Sequence, residues 1–186
     1  MDNKIVIHVD GVQGSGKSFI CSKIKNILCI DTDDIMKQAI QIIEDSQNTN
    51  KKLPRTFNQL QKIKKKLAEE YIKENNKIIF VGMTVDIPQP THKFFIKIIE
   101  LENVYKRLLL RELEKIHTNY EKIKKHINEE TNPNEIDIQR IADMSLMFPV
   151  DYSEFLKDYK ENIKKAKKNK YLIKTQNEII DIINNI

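Results

Sequence analysis

The chain has 186 residues, 40% of them hydrophobic, with 32 Lys and Arg against 27 Asp and Glu for a formal net charge of +5. A chain of this length builds one domain with a sizeable core, and it has no uncharged apolar run of the length that spans a membrane. The start, Met1-Asp2-Asn3-Lys4, lacks a signal peptide's apolar stretch and cleavage site, so a cytoplasmic protein is expected. Residues 4–10 are a β-rich run suited to a buried parallel strand. A glycine loop follows, then Phe19, Ile20, Ile24, Ile27 and Leu28 at helical spacing, predicting a short helix over about 17–26. Residues 26–30 form a second apolar run, ending in Asp31-Thr32-Asp33-Asp34. Ile35, Met36, Ala39, Ile40, Ile42 and Ile43 give the next helix a broad apolar face, and 46–52 read as a polar loop. Pro54 precedes an amphipathic helix through Phe57, Leu60, Ile63, Leu67, Tyr71 and Ile72. A third strand is predicted over 77–82, a loop at Pro88 and Pro90, a fourth strand over 92–99 and a long charged helix from 102 to about 126. Asn132-Pro133-Asn134 breaks it, and helices follow over about 135–147 and 152–168. Residues 171–174 are a fifth strand, and Ile179, Ile180, Ile182 and Ile183 mark the last helix.

Short apolar strands alternating with helices predict an α/β fold of three layers, a five-stranded parallel sheet with helices on both faces. Ligands in such sheets sit beyond the carboxyl ends of the strands. Three segments follow strands and are predicted to border one crevice: 11–18, 31–34 and 82–86.

The first of these, Gly11-Val12-Gln13-Gly14-Ser15-Gly16-Lys17-Ser18, fits G-x-x-x-x-G-K-[ST], the Walker A phosphate loop. Glycines let backbone N–H groups turn onto a phosphate with no Cβ in the way, and the following helix N-terminus adds partial positive charge. Three of the chain's four glycines stand in these eight residues, which favours the motif over a turn that happens to contain Gly-Lys-Ser. The predicted nucleotide contacts are Gly11 to Ser18 with Phe19. Lys17 reaches the β- and γ-phosphates, and the Ser18 hydroxyl ligates Mg2+. ATP and Mg2+ are the expected cofactors.

Asp31-Thr32-Asp33-Asp34 is the second constellation. One carboxylate can hold Mg2+ through water, and another can orient or deprotonate an attacking hydroxyl. Acidic residues here also cap and stabilise the next helix by roughly 1 kcal/mol, and both roles are compatible. Asp86 is a further candidate acid, several residues beyond the third apolar run. Arg107 and Arg111, at i and i+4 on one helix face, are either a pair for anionic phosphoryl groups or solvated partners of Glu112 and Glu114. Arg140 is a weaker third.

A Walker A loop followed by a strand and Asp31-Thr32-Asp33 resembles the small P-loop kinases, such as the shikimate and gluconate kinases. The resemblance implies a P-loop NTPase fold over 4–111 and the final strand and helix, with a helical lid or insert at about 102–168. It implies that Asp31 lies near the metal, that Asp33 contacts the acceptor hydroxyl, and that Arg107 and Arg111 are lid arginines. It also implies that Thr175-Gln176-Asn177 touches the adenine. Thr32-Asp33-Asp34 resembles the R-D-D of polynucleotide 5′-kinases, which again selects Asp33 and makes a nucleic-acid 5′-hydroxyl the second choice of acceptor. Met83-Thr84 stands where shikimate kinases continue a glycine cluster. A small molecule or nucleotide is the leading acceptor.

A nucleotide-binding ATPase or switch without an acceptor is the alternative in a different class. The sequence has no N-K-x-D guanine signature, and Gly82 stands where a motor ATPase shows its acidic Walker B residue. The lysine runs 62–66 and 164–168 read as solvated helix faces or a nucleic-acid surface; few aromatics lie among them to stack bases. Cys21 and Cys29 show no metal-type spacing and are expected to pack as small apolar thiols in a reducing compartment. The four histidines show none either, and His8 reads as a packed polar residue in a strand.

Overall fold

Ile5–Asp10 (β1) carries apolar side chains on both faces, as a central strand of a parallel sheet must. Lys77–Val81 (β3) and His92–Ile96 (β4) have the same character and flank it. The half-exposed Leu28–Asp31 (β2) and Leu172–Lys174 (β5) form the edges. The order is β2-β3-β1-β4-β5, and every pair is parallel. This computed structural model describes residues 4–47, 56–83, 85–129 and 151–186. The chain divides into two units, Met1–Ile99 with Glu161–Ile186, and Glu100–Lys160.

In the first unit, helices cover both faces of the sheet. Lys17–Lys23 (α1) and Gln176–Asn184 (α6) bring Ile20, Ile24, Ile179 and Ile183 onto Ile7, Val9, Ile79, Val81, Phe94 and Ile96. Thr32–Gln47 (α2) and Phe57–Glu74 (α3) bring Ile35 and Ala68 onto Val6, Ile78 and Phe80. The connection from β3 to β4, residues 82–91, returns across this second face and buries Val85 and Ile87 there. The fold is thus α/β in three layers.

In the second unit, Leu101–Glu129 (α4) packs Tyr105 against Tyr152 and Phe155, with ring centroids 5.1 and 5.6 Å apart. These two rings stand in the first turns of Tyr152–Lys168 (α5), whose residues from 161 on belong to the first unit. Past Lys168, Lys170 takes the left-handed φ of 62° and Tyr171 N–H donates to Ala166 O at 2.9 Å, which ends α5 and turns the chain into β5.

Several expected bounds move. α1 stops at Lys23 because Ile24 is extended, at φ −103° and ψ 112°, although apolar spacing continues past it. The fourth strand ends at Ile96 and the long helix runs from Leu101 to Glu129. The reading of the cysteines as packed thiols is corrected: Cys21 on α1 and Cys29 on β2 form a disulfide, with Cα atoms 5.7 Å apart. Both still pack against the first core. The loop beyond Gln47, Pro54, the break at 132–134, Arg140 and the helix over 135–147 lie outside the described residues. No helix among the described residues is long and apolar enough to cross a membrane.

Candidate functional site at the carboxyl ends of the strands

The parallel register aligns three strand ends. Val9 is opposite Val81, and Val81 is opposite Asp31. The residues that follow, Asp10-Gly11, Gly82 and Thr32, therefore leave the sheet at one level. Gly82 N–H donates to Val9 O at 3.0 Å and ties two of these exits together. Gly82 has φ 127°, and a Cβ there would collide with the Thr32 hydroxyl. Glycine at this point lets the end of β2 close onto the end of β3.

The glycine loop is held as a cup. Lys17 Nζ donates to the carbonyls of Gly11 at 2.6 Å and Val12 at 3.0 Å, so the ammonium is folded over the loop. The Ser15 hydroxyl is buried and has no hydrogen-bond partner among the described residues. Gly16 sits at φ 89° as the N-cap of α1, and Gln176 fills the space a Cβ would take there. The Gln176 amide donates to Ser15 O at 2.5 Å, so the start of α6 braces the loop. α6 is fixed in turn by a capping box in which Thr175 and Glu178 satisfy each other's backbone N–H groups. Those bonds and Lys174 pull the Glu178 carboxyl down to about 2. Because α1 has only seven residues, the anion-binding capacity rests on Lys17 and the loop amides more than on a helix dipole. Ser18 and Phe19 are exposed at its first turn, with Lys23 Nζ 5.3 Å from the Phe19 ring centroid.

Asp31 ends β2 with one carboxylate oxygen, Oδ1, accepting Asp33 N–H at 2.9 Å, a local cap for α2. Asp33 and Asp34 are exposed in the first turn of α2. Asp34 pairs with Lys37 at 2.8 Å. The cap expected of this cluster is therefore present, made by Asp31. A Mg2+ that arrives with a nucleotide takes one or two protein oxygens and keeps phosphate and water for the rest. The candidates for those oxygens are the Ser18 hydroxyl and the second oxygen of Asp31.

Sequence reasoning missed Asp10 and the use made of His8. Asp10 accepts Gly11 N–H at 2.6 Å on the edge of the loop. Burial pushes its carboxyl up, opposed by that hydrogen bond and by His8 and Lys17. The available signal was an acid directly before the first glycine of the loop. His8 is buried, with Nε2 2.8 Å from Gly82 O and Nδ1 2.7 Å from the Tyr171 hydroxyl. Burial lowers its pKa, against the Gly82 bond and the charge of Asp10. Asp86 lies on the β3–β4 connection and borders a cavity with His8. Arg107 and Arg111 are exposed on α4, in the second unit. Arg107 Nε donates to Asn103 O at 3.3 Å, and Arg111 stands 3.7 Å from Glu112.

No protein-family model matches the chain, and no curated protein matches it.

Proposed function

We propose that the protein is an ATP-dependent, Mg2+-assisted phosphotransferase with a P-loop NTPase fold, acting on a hydroxyl or phosphate of a small molecule or nucleotide. The observation that carries this reading is the cup of residues 11–17. It pairs a lysine ammonium folded over loop carbonyls with a strand-end register that exits beside Asp31 and Thr32. The loop amides and Lys17 hold the triphosphate, with Lys17 exchanging the Gly11 and Val12 carbonyls for phosphate oxygens. Ser18 and Asp31 would hold a Mg2+, which would neutralise phosphate charge there. Asp33 orients the acceptor hydroxyl and takes its proton as the acceptor oxygen bonds to the γ-phosphorus and the bond to ADP breaks. Arg107 and Arg111 neutralise charge on the transferring group. Positioning and electrostatics supply most of the rate, because phosphoryl transfer asks for little covalent help. ATP and Mg2+ are supplied in the cytoplasm, so the reading includes that setting, in which the Cys21–Cys29 bond is exposed to thiol reductants.

The test is transfer of labelled γ-phosphate from ATP to separate pools of nucleosides, nucleoside monophosphates, small hydroxy acids, sugars and 5′-hydroxyl oligonucleotides. Label on one pool, lost in Asp33→Asn, is the expected result and names the acceptor class. Label on the oligonucleotides would make the protein a polynucleotide 5′-kinase. Label only in free phosphate, unchanged by Asp33→Asn, would replace the reading with an ATPase or switch.

A further inference from the structure

A row of polar side chains interrupts the second face of the sheet on three neighbouring strands. His8 on β1 is in register with Lys93 on β4. Tyr171 directly precedes Leu172 of β5, which is in register with Phe94. Strand alternation puts His8, Lys93 and Tyr171 side by side on one face. Central parallel strands are ordinarily apolar on both faces, and a charge placed on one is costly unless something meets it. Among the described residues no hydrogen bond or ion pair engages the Lys93 ammonium. Its contact is the Tyr171 ring, with Nζ 5.6 Å from the centroid.

These three side chains border a cavity of about 240 Å³, walled by Asp86, Ile87 and Pro90 of the β3–β4 connection and by Asn169 at the end of α5. Hydrogen bonding fixes what it offers. A carbonyl only accepts, so His8 Nε2 carries the proton toward Gly82 O, and Nδ1 accepts from the Tyr171 hydroxyl. The Tyr171 oxygen keeps its lone pairs for another donor. Burial, with Asp10 and Asp86 nearby, pushes the Tyr171 hydroxyl up to about 12, so it stays protonated. The Asp86 carboxylate is in no hydrogen bond or ion pair among the described residues; its charge is felt at His8, Tyr171 and Lys64. Lys93 and Asn169 thus offer donors on some walls, Asp86 and Tyr171 offer acceptors on others, and Ile87 and Pro90 offer apolar surface.

A simple anion would meet Lys93 but be repelled by Asp86, and a simple cation would meet the reverse. A molecule with both functions satisfies both. The volume holds about eight waters at ~30 Å³ each. It falls below the roughly 300–1,000 Å³ of sites for drug-sized ligands, which points to something smaller than a nucleotide. We propose that this cavity binds a small amino or hydroxy acid. The carboxylate lies against Lys93 and Asn169, and the ammonium or hydroxyl against Asp86 and the Tyr171 oxygen. None of the cavity's lining residues belongs to the phosphate loop, so the site stands or falls apart from the phosphotransferase reading.

The test is an NMR titration of the full chain without nucleotide, following the His8 side-chain nitrogens and the Tyr171 ring. The probes are L-serine and D-glycerate, with acetate and ethanolamine as single-function controls. Saturable shifts with serine or glycerate are expected, at a Kd about tenfold below either control, in keeping with charge-assisted bonds at both ends. Serine alone identifies an amino-acid site and glycerate alone a hydroxy-acid site. Lys93→Met raises the Kd of the binding probe about tenfold while the melting temperature holds or rises, because a charge leaves an apolar face. Asn169→Ala, at the exposed rim, weakens binding severalfold and carries the test if Lys93→Met does not fold. Asp86→Asn weakens serine more than glycerate. No saturable shift with either acid, equal affinity for acetate, or binding unchanged in Lys93→Met and Asn169→Ala would overturn the proposal.

Discussion

The side-chain amide of Gln176 occupies the space that a Cβ on Gly16 would need, and it donates to the carbonyl of Ser15 next to it. Two segments 161 residues apart in sequence thereby set the shape of the phosphate loop. Gly16→Ala meets two obstacles, the left-handed φ of 89° and the Gln176 amide. The first alone costs about 1–2 kcal/mol. Gln176→Ala loses one hydrogen bond, about 1 kcal/mol. The double variant is expected to be more stable than the sum of the singles, because the collision disappears while the backbone strain remains. Urea midpoints of the four proteins measure that coupling; strict additivity would show that the two residues do not share the space.

His8 gives the fold a pH dependence of definite sign. Burial holds its pKa below 6.5, with Asp10, Asp86 and the Gly82 bond opposing and Lys93 reinforcing the shift. The unfolded chain therefore binds the extra proton more readily. The stabilisation is complete above the unfolded value and is lost as the pH falls below it toward the folded value. Protonation would also remove the acceptor for the Tyr171 hydroxyl. Melting temperatures from neutral pH down to about 5 should fall for the parent protein. They should fall less steeply for His8→Gln, whose amide does not titrate. Equal slopes would assign the acid sensitivity to other groups.

The parts of this structure that were legible in the sequence depended on near neighbours. Ile5-Val6-Ile7, Ile78-Ile79-Phe80 and Phe94-Phe95-Ile96 are apolar runs too short for helices, and they form β1, β3 and β4. The glycine spacing of 11–16 located the loop, and the acids at 31–34 located the start of α2. What was not legible depends on packing between separate elements. Cys21 and Cys29 pair only because α1 lies against the sheet beside β2. α1 ends at Lys23 although Ile24 and Ile27 continue the helical spacing, since both are used by the core after the chain has turned. Asp10 and His8 alternate along a strand like ordinary inward residues. The partners of His8, Gly82 and Tyr171, come from the β3 exit and the β5 entry, and Asp10 accepts the first amide of the loop.

The disulfide joins residues eight apart, a short loop whose closure is worth about 2–3 kcal/mol in the chain-entropy model. A dithiol reductant should lower the parent's stability by that order. Cys21→Ser with Cys29→Ser should match the reduced parent and show no further response. Urea midpoints with and without reductant measure both, and intact mass read before and after reduction confirms the gain of two hydrogen atoms. A parent already carrying two thiols as purified would show that the pair stays reduced where the protein is made.

The acids at the start of α2 separate catalysis from capping. Asp31 makes the cap through Asp33 N–H, and Asp34 is engaged with Lys37 at an exposed pair. Asp34→Asn should therefore change stability by less than about 1 kcal/mol and leave phosphoryl transfer at the parent rate. Asp33→Asn keeps the size and the backbone donor to Asp31. If Asp33 handles the acceptor proton, kcat should fall by about 10²–10⁴ with KM for ATP unchanged. Arg107→Ala should lower kcat by about 10³–10⁵ if that arginine neutralises the transferring group, with melting unchanged because its hydrogen bonding among the described residues is a single 3.3 Å bond to Asn103 O. The pattern of the three variants decides among the roles. A loss in Asp33→Asn alone makes Asp33 catalytic and α4 a bystander. A loss in Asp34→Asn equal to that in Asp33→Asn makes the cluster a general negative field. Parent rates in all three would mean that none of these side chains takes part in the transfer.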